Sequence, residues 1–69
     1  MLVEELGNIL QERRKVLGIT QKHLSEISGV HLNTIAKIEQ GKVNPTLEII
    51  HQLAEVLGLE LTLNVKRPK

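Results

Sequence analysis

The sequence predicts an all-α domain, a compact bundle of four short helices, followed by one C-terminal β-strand. Three observations carry that expectation. Apolar residues recur at helical spacing in four segments, and four of the chain's five glycines stand just beyond such a segment. From Leu59 onward the apolar period changes to two, the spacing of a strand.

Residues 2–17 form the first helix, with Leu2, Val3, Leu6, Ile9, Leu10, Val16 and Leu17 near helical spacing and Glu4, Glu5, Asn8, Gln11, Glu12 and Lys15 on other faces. Gly18 ends it, and Arg13, Arg14 and Lys15 suit the negative end of its dipole. Gly7 lies inside this helix and is read as a close-packing position. Thr20 caps a second helix that runs to about Ser28 and turns Leu24 and Ile27 inward, and Gly29 breaks it. A third, from about Leu32 to Gln40, buries Ile35 and Ile38 and stops at Gly41, after which residues 42–45 form a loop. Thr46 caps a fourth helix that ends at Gly58. Its apolar stripe is Leu47, Ile50, Leu53, Ala54 and Leu57, with Ile49 and Val56 beside it, an arc broad enough to cover a second surface.

In the last segment Leu59, Leu61, Leu63 and Val65 alternate with Glu60, Thr62 and Asn64. No second strand-like run exists in the chain, and a lone strand leaves its backbone groups unpaired on both edges. A second copy supplies a partner. The expectation is a two-stranded antiparallel ribbon across a twofold axis, its apolar face on Ile49 and Val56 of both fourth helices. An irregular tail lying on its own subunit is the alternative. The domain expected is therefore 1–58, with a dimerisation strand at 59–65 and a basic tail at 66–69.

Composition narrows the function classes. A chain of 69 residues makes one domain at most, and at that size it buries only about 60% of its unfolded surface, which makes oligomerisation a natural source of stability. There is no cysteine, and no apolar run approaches the roughly 18 residues of a membrane span, so a cytoplasmic protein is expected. The absence of aspartate and cysteine, and the scattered positions of His23, His31 and His51, leave no catalytic or metal-binding constellation; no enzyme activity, cofactor or metal is expected. The absence of Phe, Trp and Tyr disfavours modules that stack unpaired bases and favours duplex as a nucleic-acid partner. The net charge is only +1, yet residues 13–42 hold Arg13, Arg14, Lys15, Lys22, Lys37 and Lys42 against Glu26 and Glu39, a basic stretch flanked by acids.

Residues 21–40 contain two short helices separated by Ser28-Gly29-Val30, locked by Leu24, Ile27, Val30, Ile35 and Ile38, with the small Ser25 where their backbones cross. Asn33, Ala36, Lys37 and Gln40 lie opposite the Ile35 and Ile38 stripe, an exposed face suited to the major groove. The sequence resembles the phage-repressor and Cro-like helix-turn-helix family, often called Xre. The resemblance lies in Gly18-Ile19-Thr20-Gln21, Leu24-Ser25, Gly29-Val30, Thr34-Ile35, Ile38-Glu39, Gly41, Pro45-Thr46-Leu47 and Leu57-Gly58, over about residues 6–58.

That resemblance implies a fold of the lambda-repressor kind and a sequence-specific repressor of double-stranded DNA, binding an inverted-repeat operator as a homodimer. It implies that Gln21 binds a phosphate and braces the recognition helix, where the bland alternative is a polar residue opening a helix. It places Leu32, Asn33 and Lys37 at base edges, His31 and Thr34 close to bases or phosphates, and Lys42 and Asn44 on the backbone; Lys22 joins this set. Arg14 and Glu39 match a salt bridge between the first and third helices. His31 departs from the family, which commonly caps the third helix with serine or threonine. The segment from Leu59 to Val65 resembles a narrower group, the HipB-like antitoxins. That likeness implies repression of its own promoter and, as a further partner, a kinase-like toxin of the HipA class. The rival reading is an interaction module that neutralises a toxin, with DNA binding secondary. The basic end, Lys66-Arg67-Pro68-Lys69, is a solvated tail or reaches a partner.

Overall fold

The computed structural model describes residues 2–67. Its elements are α1 (Leu2–Val16), α2 (Gln21–Ser28), α3 (Leu32–Glu39) and α4 (Leu47–Leu57). Both α1 and α2 pack against both α3 and α4. The core between them consists of Leu10, Leu24, Val30, Ile35, Ile38, Ile50, Leu53 and Leu57, one or more from every helix.

Local chemistry fixes the helix ends. The Thr20 and Thr46 side chains accept hydrogen bonds from the backbone N–H groups of His23 and Ile49, at 3.0 and 3.1 Å, each satisfying a donor the first turn leaves free. At the end of α3, Gly41 takes a φ of +72°, which a side chain strongly disfavours. The turn lets the Gly41 N–H reach the Ile38 carbonyl and the Lys42 N–H reach that of Lys37, both at 3.0 Å, so two orphan carbonyls are satisfied as the chain leaves the helix. The C-terminus of α4 has a partner from outside the helix: Arg13 Nε donates to the Leu57 carbonyl at 2.7 Å.

Three expectations change. Ile27 is not turned inward but is 48% exposed, because Leu24 alone fills the space α2 offers to the core. On α4, Ile49 and Val56 are half-buried against the chain's own core, whereas Leu47, expected in the inward stripe, is 73% exposed. Among the described residues no strand forms: beyond the Leu59 N–H bond to the Ala54 carbonyl (2.9 Å), residues 60–67 make no backbone hydrogen bond. A ladder needs a second strand, and a single chain offers none. Leu59 packs on the core, the exposed Leu61 lines an open groove with Ile9 and Ile50, and Leu63 and Val65 project fully into solvent. Of the tail at 66–69, Pro68 and Lys69 lie outside the described residues.

Candidate nucleic-acid interface

The third helix divides its surface between two tasks. Ile35 and Ile38 are each 1% exposed and anchor it in the core, while Leu32, Asn33, Lys37 and Gln40 are turned away from it. Eight residues make barely two turns, too short to hold helical form alone. The orientation of the outward face is therefore set by what grips the helix from behind.

The grip is a charged network centred on Glu39. Arg14 approaches its carboxylate with two N–H groups, Nε to Oε2 at 2.7 Å and Nη2 to Oε1 at 2.9 Å, a bidentate pair. The Arg14 Nη1 donates to the Ile19 carbonyl at 2.9 Å, so one guanidinium ties α1, the loop before α2 and α3 together. Gln21, the first residue of α2, donates from Nε2 to Glu39 Oε1 at 2.9 Å. The two charged side chains are 11% and 2% exposed. Burial alone would push the Glu39 carboxyl up; hydrogen bonds from Arg14 and Gln21 and the Arg14 charge outweigh it and hold the group below the usual carboxylate range. The hydrogen bond to Glu39, opposed by burial and aided by its charge, raises Arg14 above its ordinary value. Every buried side-chain nitrogen and oxygen among the described residues has a hydrogen-bond partner, so this buried charge leaves no orphan.

A second device sets the turn between α2 and α3. Ser25 Oγ donates to the Val30 carbonyl at 2.6 Å, and Ser28 Oγ accepts from the Val30 N–H at 3.1 Å. Both backbone groups of the turn's buried apolar residue are thus satisfied by serines of α2. Sequence reasoning reads Ser25 only as small; the Ser28-Gly29-Val30 spacing is the available signal, since a serine hydroxyl readily bonds the backbone two residues on. It also misses Arg13, whose bond to Leu57 depends on how α1 and α4 meet.

Lys22, near the start of α2, and Lys42 and Asn44, in the loop after α3, are all exposed. Thr34 is half-buried. His31 is the N-cap of α3 and makes no side-chain capping bond. Lys22, Lys37 and Lys42 are all exposed and come from three separate segments, α2, α3 and the loop after α3. No group of three or more His, Cys, Asp or Glu residues that could hold a metal occurs among the described residues, and no described helix is long and apolar enough to cross a membrane.

Comparison with known proteins agrees with this architecture. A helix-turn-helix family model matches residues 10–64. The chain is similar to an uncharacterized HTH-type transcriptional regulator of Methanothermobacter thermautotrophicus, with 42% identity over 55 residues that make up 80% of each protein. A second, from Haemophilus influenzae, is 45% identical over 56 residues, 81% of this chain and 57% of that relative. The HTH-type transcriptional regulator PuuR of Escherichia coli is 35% identical over 63 residues, 91% of this chain but 34% of that protein. The last two relatives therefore extend well beyond the shared domain.

Proposed function

This chain belongs to the helix-turn-helix family, and from that premise we propose that it is a sequence-specific repressor that reads duplex DNA with α3 and works as a homodimer. It is a DNA-binding regulator and not an enzyme. The observation that carries the finer reading is the division of α3, whose back is locked by Ile35, Ile38 and Glu39 while Leu32, Asn33 and Lys37 face outward.

In this reading the outward residues enter the major groove. Asn33 pairs with adenine N6 and N7, Lys37 with guanine O6 and N7, and Leu32 touches a thymine methyl, with His31 and Thr34 at neighbouring bases or phosphates. Gln21, Lys22, Lys42 and Asn44 hold the sugar-phosphate backbone, and such contacts position rather than specify. Gln21 suits its part because one amide N–H is held by Glu39, leaving a second N–H on the same nitrogen as donor for a phosphate oxygen. The network that braces α3 thereby also orients a phosphate ligand.

The alternation from Leu59 to Val65 supports pairing between two copies, and the likeness of that segment to HipB-like antitoxins supports an operon that the protein itself represses, with a HipA-like toxin as second partner. Its place of action is then the cytoplasmic DNA of a prokaryote or phage. The test is selection of bound duplexes from a randomised pool at fixed, near-physiological salt. The expected product is an inverted repeat with half-site centres one helical turn, about 34 Å, apart. Absence of enrichment overturns the reading and leaves a module whose work is to hold a toxin.

A further inference from the structure

We propose that Arg13, by pinning the end of α1 to the end of α4, positions the Gln21 amide for its phosphate. The proposal rests on the reading above, in which Gln21 holds the sugar-phosphate backbone, and adds a residue that acts on DNA binding without touching DNA.

The C-terminal part of α1 lacks an apolar anchor. Leu10 is the last buried residue of that helix, and beyond it Val16 and Leu17 are exposed. The next apolar side chain against the core is Ile19, already in the loop before α2. What holds this end of α1 is polar. Gln11 and Arg14 both turn to Glu39, the first through a side-chain hydrogen bond and the second through its bidentate pair. Of the three side chains only Arg13 reaches α4, where its Nε stands 2.7 Å from the Leu57 carbonyl oxygen. Leu57 is fully buried, so that carbonyl belongs to the most firmly packed part of the domain. The guanidinium also lies close under Gly58, where a β-carbon would stand 3.2 Å from Arg13 Nη2.

The anchor and the amide are joined through Arg14. Successive residues of a helix point about 100° apart, so Arg13 faces α4 while Arg14 faces α3. Fixing the first fixes the base from which the second works. Arg14 Nη2 and Gln21 Nε2 donate to the same oxygen, Glu39 Oε1, at 2.9 Å each. A shift of Arg14 therefore moves the oxygen on which the Gln21 amide leans, and turns its remaining N–H away from a phosphate.

The test measures binding to the duplex selected from the randomised pool, at several salt concentrations and well below the Tm of each variant. Arg13→Met keeps the aliphatic stem and removes the donor. It is expected to raise Kd about fivefold with an unchanged slope of log K against log salt, and Arg13→Lys, which keeps the charge and one donor, about twofold. In a Gln21→Ala background both changes are expected to leave Kd where Gln21→Ala alone puts it. A slope lowered by about 0.9 in Arg13→Met shows that Arg13 itself meets a phosphate and overturns the proposal. An equal loss with and without Gln21 overturns it too, as does an unaltered Kd accompanied by a lower Tm, which makes Arg13 structural only. If Arg13→Met does not fold, the same cycle with Arg13→Lys decides between these outcomes. Native affinity in Gln21→Ala overturns this inference and leaves the reading of DNA by α3 standing, whereas a native protein that retains no duplex overturns both.

Discussion

Gly7 of α1 lies so close to the carbonyl oxygen of Ile38 in α3 that a β-carbon at position 7 would overlap it, and the Glu39 carbonyl oxygen stands only 3.2 Å from the same point. The two helices meet backbone to backbone at the residue that carries the buried carboxylate. Gly7→Ala therefore sets two effects against each other. Alanine is favoured over glycine inside a helix by about 0.5–1 kcal/mol. Overfilling a packed site costs about 1–3 kcal/mol, and the upper end applies because the obstacle is backbone that no rotamer can clear. The expected result is a net destabilisation of about 2 kcal/mol, read as a lower urea midpoint with an unchanged slope. A gain in stability would show that α1 and α3 can separate freely.

The Arg14–Glu39 pair makes stability depend on acid. Because the folded carboxyl titrates below an ordinary glutamate, its contribution is complete above the unfolded value of about 4.3 and is lost as pH falls through the lower folded value. Glu39→Gln should remove that part of the acid dependence while keeping a hydrogen-bonding side chain in place. Glu39→Ala strands a largely buried Arg14, and removing one member of a buried pair costs about 3 kcal/mol. Urea titrations of the three proteins between pH 7 and pH 3 decide it; parallel pH profiles for the native protein and Glu39→Gln would sink the assignment.

What the sequence made legible was governed by local rules. Thr20 and Thr46 cap, Gly18, Gly29, Gly41 and Gly58 close the helices, and each helix ends within about one residue of where its periodicity stops. The residues of the outward face of α3 follow from the burial of Ile35 and Ile38. What was not legible depends on how helices meet. Leu24 and Ile27 are equally apolar on α2, and only the packed geometry decides that the first is buried and the second half-exposed. Ile49 and Val56 read as surplus because the sequence does not reveal that α4 is covered from several sides. The segment after Leu59 shows its alternation plainly, but pairing between chains is not written in one chain's structure.

His31 leaves α3 without the side-chain cap that Thr20 and Thr46 give to α2 and α4. A serine there would be placed to accept from the Thr34 N–H, the position equivalent to His23 after Thr20. His31→Ser is thus expected to stabilise the domain by about 1 kcal/mol, raising Tm by about 4–8 °C at this chain length. If His31 also touches DNA, as proposed, the same change weakens operator binding while Tm rises. A variant more stable and equally tight in binding would confine His31 to the cap.

Lys42 separates positioning from reading. Its backbone N–H closes the turn after α3 by bonding to the Lys37 carbonyl, whereas its side chain is solvent-accessible and can meet a phosphate. Lys42→Ala keeps the backbone bond, so the fold and the aim of α3 are undisturbed. Removing one cation from the phosphates lowers the slope of log K against log salt by about 0.9, and affinity should fall by a similar factor for every DNA sequence tested. Lys37→Ala, by contrast, should relax preference at one base position of each half-site. Binding isotherms for operator and scrambled duplex at several salt concentrations distinguish the two variants. An unchanged salt slope in Lys42→Ala would remove Lys42 from the phosphate-binding set, and sequence-independent weakening in Lys37→Ala would move Lys37 from the base edges to the backbone.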